Sequence, residues 1–123
     1  MYDDKIMQRF VRPLYVGEFE DADAVAEVGN MKCGDIMKIF LKIKDNKIED
    51  IRFKTYGCVT AIVSTDFLCE IVKGMPLDEA KKITPKDVIA RMGDVPPVKI
   101  HCSVLAYKAL SEAIKNYQTA NPN

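Results

Sequence analysis

A few residues in this chain could do chemistry beyond packing: four cysteines, a single histidine and one aspartate in a glycine turn. Cys33 is followed by Gly34 and Asp35. Cys58 follows Gly57, where an extended stretch gives way to a helical pattern. Cys102 directly follows His101, where a proline-rich stretch turns into a second helical pattern. A cysteine at a helix N-terminus meets unpaired N–H groups and the positive end of the helix dipole, which favour the thiolate. The thiolate is the form that binds metal and attacks sulfur. Cys69 differs, because it sits mid-helix beside Leu68 and reads as a small buried residue.

Taken singly, each of these residues has an ordinary explanation. A lone cysteine is more often core than ligand, Asp35 suits a turn, and His101 suits a surface. Taken together, Cys33, Cys58 and Cys102 with Asp35 and His101 supply three thiolates, a carboxylate and an imidazole. That is enough for a four-coordinate soft-metal site with one ligand to spare. No two of them form a CxxC pair, which argues against an ordinary zinc ribbon and for an open site.

The elements that must position these residues follow from periodicity. Asp3 or Asp4 caps a short helix, KIMQRFV, that Pro13 ends. A polar connection, LYVGEFEDAD, leads to a strand at 24–29. Met37, Ile39, Leu41 and Ile43 alternate with Lys38, Lys42 and Lys44, and after a turn at Asp45–Asn46 the alternation resumes with Ile51, Phe53 and Thr55. One sheet face is apolar and the other is lined with lysines. Ile62, Val63, Asp66, Phe67, Glu70 and Ile71 fit a helix that Gly74 ends. MPLDEAKKI is a short helix with Pro76 near its start. TPKDVIARM is another, with Thr84 as cap and Pro85 in the first position. The two prolines of GDVPPVKI force an extended segment. A last amphipathic helix carries Leu105, Ala109, Leu110, Ala113, Ile114 and Tyr117, with 118–123 as a frayed tail. The predicted fold is α+β: one domain over 1–123, a three-stranded antiparallel sheet with helices packed on one face.

Composition narrows the function. The chain has 123 residues, the usual size of one domain. Eighteen basic residues balance eighteen acidic ones, so no charge excess points to nucleic acid or an anionic membrane. The sequence shows no leader pattern and no apolar run of membrane-spanning length. These features predict a cytoplasmic protein whose thiols stay reduced.

The segments KCGDIMK, RFKTYGCVTAIVSTDFLCEIVKG and VPPVKIHCSVLAYKAL resemble, in colinear order, those of the IscU and NifU N-terminal domain family of iron–sulfur cluster assembly scaffolds. The resemblance implies that Cys33, Cys58 and Cys102 hold a nascent [2Fe–2S] cluster built from iron, and that Asp35 makes the site labile. It implies that His101 stands beside the last ligand and that Cys102 accepts sulfur. It further implies a cysteine desulfurase as sulfur donor and apo-proteins as acceptors. A DnaK-type chaperone with its J-type co-chaperone would dock on Val95, Pro96, Pro97, Val98 and Lys99. The adjacent His-Cys, and the lack of an insertion between the second and third motifs, favour this branch over the related SufU group. The chain departs from the usual pattern at Val59 and Thr60, where the family has Gly-Ser, at Val95, where it has Leu, and in RPLYVG. Without NifU C-terminal domains it reads as a stand-alone scaffold, a monomer or a homodimer, and not an enzyme. Two rivals stay open. The same ligands would bind zinc in a structural or regulatory module. Alternatively His101 would activate Cys102 as an enzyme nucleophile.

Overall fold

The computed structural model describes residues 4–30, 35–56, 59–92 and 101–120, with the backbone alone at Lys5, Asn30, Asp35, Tyr56, 59–60, 101–103 and Leu105. In chain order the elements are α1 (Asp4–Val11), β1 (Ala24–Asn30), β2 (Asp35–Lys44), β3 (Lys47–Tyr56), α2 (Val59–Val72), α3 (Leu77–Ala80), α4 (Pro85–Met92) and α5 (His101–Ala120). The strands form one antiparallel sheet in the order β1-β2-β3. α5 lies along β1 and β2, and α2 lies against β3 and α5. The α+β expectation is met.

Alternation places the core. Met37, Ile39 and Leu41 of β2 are fully buried beneath the helices. On β3 the buried residues are Ile48, Ile51 and Phe53. Ile48 and Ile51 are three apart, which a regular strand would send to opposite faces. A bulge resolves the conflict: Lys42 pairs with Asp50 but Ile43 pairs with Ile48, leaving Glu49 over. The far end of this hairpin closes on Asp45 and Asn46, at φ 54° and 61°. Positive φ at both positions suits a two-residue turn matched to the strand twist, and Asp and Asn tolerate it.

The opposite sheet face is not simply a row of lysines. Phe40 is buried there, and Lys38 stacks over its ring. Residues 15–23 add further cover. Tyr15 and Gly17 exchange backbone hydrogen bonds with Phe53 along the outer edge of β3. Phe19 then lies beneath Arg52 and Lys42. Asp21 pairs with Lys42 at 3.0 Å, and Glu18 with Lys54 at 3.2 Å.

α2 is the central helix. The stripe read from sequence understates it, because Ala61, Val63, Ser64, Thr65, Asp66, Phe67, Leu68 and Cys69 are all buried. It ends at Gly74, whose φ of 88° suits glycine. α4 starts as expected: the Asp87 carboxylate accepts from both the Thr84 amide, at 2.8 Å, and the Thr84 hydroxyl, at 3.1 Å. One correction concerns the C-terminus. The tail was expected to fray from residue 118, but α5 runs through Ala120, and Lys81 donates to the Gln118 side chain at 2.6 Å.

Asp66 is the buried charge that needs explanation. Arg9 reaches it from α1 at 2.9 Å, and its second carboxylate oxygen accepts from the Leu14 and Tyr15 amides at 2.9 and 2.8 Å. The same guanidinium bridges to Glu70 at 3.0 Å and lies 4.0 Å from the Phe67 ring centre. Partial burial works against the Arg9 charge, yet hydrogen bonds to Asp66 and Glu70 outweigh it and raise its pKa. Arg9→Ala leaves a buried carboxylate without its counter-ion. It is expected to cost about 3 kcal/mol, read as a lower urea midpoint with unchanged slope.

Candidate metal-cluster site

The strand register brings two of the chain's turning points together. β2 starts at Asp35, paired with Asn30, and the next residue, Ile36, pairs with Tyr56, the last of β3. The start of β2 and the end of β3 are therefore neighbours, at the sheet end remote from the Asp45–Asn46 turn. α2 starts at Val59, only three residues beyond Tyr56. His101 and Cys102 are the first two residues of α5. That helix is anchored at the other end of β1, where the Asn116 side chain donates to the Val25 carbonyl at 3.0 Å. From that anchor α5 runs back along β1 with Ala106, Ala109, Leu110, Ala113 and Ile114 buried. Its first turn is thus directed toward the Asn30–Asp35 end.

Neither α2 nor α5 carries an acidic residue in its first turn. Their N-terminal N–H groups and dipoles are left uncompensated by carboxylates of their own, the setting that lowers a thiol pKa or stabilises an anion.

The candidate residues are thus placed unequally. The backbone of Asp35, His101 and Cys102 is described and their side chains are not. Cys33, Cys58 and the whole of Val95, Pro96, Pro97, Val98 and Lys99 lie outside the described residues. Among the described residues no group of three or more His, Cys, Asp or Glu side chains could hold a metal ion.

Cys69 is fully buried in α2 among the core residues. Burial pushes its thiol well above the ordinary value, and the Asp66 charge adds to the effect. It is a packing residue, as the helical pattern suggested. Sequence reading missed the neighbours that organise the site end. Thr55 donates to the Ile36 carbonyl at 2.7 Å, and buried Thr65 lies 3.2 Å from the Met37 sulfur. Only their side-chain partners reveal them, and those partners are 19 and 28 residues away.

Comparisons with known proteins now bear on this arrangement. The chain matches the family described as "NifU-like N terminal domain" over residues 1–123. It is 48% identical over 121 residues to the "Iron-sulfur cluster assembly scaffold protein IscU 1" of Archaeoglobus fulgidus, covering 98% of this chain and 79% of that one. It is 43% identical to the "Iron-sulfur cluster assembly scaffold protein IscU" of Escherichia coli K12, covering 96% and 94%. Against the "Nitrogen fixation protein NifU" of Trichormus azollae the identity is 41%, covering 95% of this chain but 42% of that one. Among solved structures, a putative SUF-system scaffold protein from Fervidobacterium islandicum superposes with a TM-score of 0.78 at 25% identity, covering 92% and 96%. An N-terminal NifU-like protein from Brucella abortus shares the fold, with a TM-score of 0.76 at 19% identity, covering 95% and 94%.

The burial of Cys69 gives a direct test. In a variant with Cys33, Cys58 and Cys102 all changed to serine, Cys69 is expected to resist iodoacetamide in the folded protein, even at pH about 8.5, where an exposed thiol is half ionised. It is expected to label fully in urea, with mass spectrometry as the readout.

Proposed function

We propose, from the premise that this chain belongs to the NifU-like N-terminal domain family, that it is a scaffold on which an iron–sulfur cluster is assembled and from which it is handed to acceptor proteins. The observation that carries this reading is similarity over nearly the whole chain to proteins named as such scaffolds. The cluster is cargo, and the chain acts as acceptor and donor of cluster parts rather than as an enzyme.

In this reading Cys33, Cys58 and Cys102 are the thiolate ligands of a [2Fe–2S] cluster. Cys33 is two residues before Asp35, and Cys58 falls between Tyr56 and Val59. Cys102 lies in the first turn of α5. Asp35 is a hard oxygen donor, which holds a soft cluster less tightly than thiolate does. His101 is the alternative ligand during exchange. Cys102 receives sulfur from a cysteine desulfurase, at a helix N-terminus that favours its thiolate.

The place of the proposed ligands in the chain supports release as well as binding. Asp35 starts a strand and His101 and Cys102 start a helix, and such chain ends open at lower cost than the core beneath them. Among the described residues no helix is long and apolar enough to cross a membrane, in keeping with assembly and transfer in the cytoplasm. The segment Val95-Pro96-Pro97-Val98-Lys99 is the proposed dock for a DnaK-type chaperone and its J-type partner, because a double-proline stretch presents a preformed extended chain. The names of the relatives favour iron–sulfur assembly over the zinc module.

Anaerobic reconstitution with iron, cysteine and a cysteine desulfurase tests the reading. Visible charge-transfer bands, with equal iron and sulfide counts, are expected for the wild type and for Cys69→Ala. They should be lost in Cys33→Ser, Cys58→Ser and Cys102→Ser. A colourless protein that holds one zinc tightly and refuses iron would instead establish the zinc module. Asp35→Ala is expected to release its cluster to an apo-acceptor about tenfold more slowly, the scale of effect seen when groups around a metal are changed. Equal or faster release removes Asp35 from its role.

A further inference from the structure

At the site end of the sheet β2 and β3 part company. Their last pair is Ile36 with Tyr56. Beyond it the chain leads to Cys33 on one side and Cys58 on the other. Among the described residues no further β2–β3 pair follows that one, and strand ends open at low cost. Ile36 is 43% exposed, so its own side chain does little to hold this end.

A hydroxyl supplies the missing tie. Thr55 stands opposite Met37 in the register, and its Oγ1 donates across the strands to the Ile36 carbonyl at 2.7 Å. The acceptor is the backbone of the residue next to Asp35. Behind Met37 the connection continues into α2. Thr65 and Met37 are both fully buried, the Thr65 hydroxyl donates to the Ala61 carbonyl at 2.7 Å, and Thr65 Oγ1 lies 3.2 Å from the Met37 sulfur. The start of β2, the end of β3 and the first turns of α2 are thereby linked through Met37.

We infer that Thr55 is a positioning residue: its hydroxyl clips the end of β3 to β2 beside Asp35 and sets how readily the cluster site opens. The inference rests on the proposed scaffold function and deepens it. Thr55 is not one of the proposed cluster ligands; it acts through the backbone at Ile36. Valine at this position keeps the branched shape and strand preference and removes only the hydroxyl. Serine keeps the hydroxyl.

The experiment compares wild type, Thr55→Val and Thr55→Ser in two measurements. The first is amide hydrogen exchange of the cluster-free protein at 36–38 and 54–56, with 43–48 as internal reference. The second is the rate at which reconstituted cluster passes to an apo-acceptor. In Thr55→Val the site end is expected to exchange about fivefold faster, the effect of losing one neutral hydrogen bond, while the turn end is unchanged. Cluster transfer is expected to accelerate by a similar factor, with Thr55→Ser close to wild type in both. Unchanged exchange overturns the inference. So does faster exchange with an unchanged transfer rate, since Thr55 would then serve the hairpin alone. A wild type that assembles no cluster overturns the proposed function, and the inference falls with it.

Discussion

The buried Asp66 carboxylate organises the N-terminal third of this molecule. It sits in the central helix, where an unpaired charge would be costly. It is satisfied from outside by the Arg9 guanidinium and by the amides of Leu14 and Tyr15. Met7, Val11, Leu14 and Val16 keep apolar surface exposed, so these polar contacts act together with buried Ile6 and with Phe10 and Tyr15, which pack against the core. Once anchored, Tyr15 and Gly17 pair with Phe53 and cover the outer edge of β3, a strand edge that would otherwise offer its amides to another chain. The segment then delivers Phe19 and its acidic neighbours to the lysine-bearing face.

The two ends of the sheet are built differently. At one end a tight turn with positive φ at Asp45 and Asn46 closes the hairpin. α3 packs beside it, with the Leu77 amide donating to the Asn46 carbonyl and the Ile48 amide to the Met75 carbonyl. At the other end β2 starts beside the last residue of β3, next in sequence to the residues proposed as cluster ligands.

The relatives place these features in a family setting while the chain keeps its own character. In sequence, Val59 and Thr60 at the start of α2 are both β-branched, a type whose χ1 is restricted in a helix. The fold tolerates wide sequence change: a NifU-like structure sharing 19% identity still superposes with a TM-score of 0.76. What the fold requires is the apolar face of the sheet and the buried helix across it, and both can be met by many combinations of side chains.

Alternating and helical periodicity were sufficient to locate the strands and helices of this chain, because each pattern repeats within a few residues and reports a single buried face. The Asp45–Asn46 turn, the Gly74 stop and the Thr84–Asp87 cap were legible for the same reason: their chemistry is local. The residue types of Cys33, Cys58, Cys102, Asp35 and His101 raised the proposed soft-metal site without any fold. Other features depended on contacts far apart in sequence. The bulge at Glu49 reconciles Ile48 with Ile51 only when β2 is alongside. Asp66 resembles a surface aspartate until Arg9, fifty-seven residues earlier, folds against it. Cys69 could be separated from the other thiols by pattern, but its inertness comes from complete burial. The adjacency of Asp35 and Tyr56 exists only in the strand register, because register is a property of paired chains and no single stretch of sequence contains it.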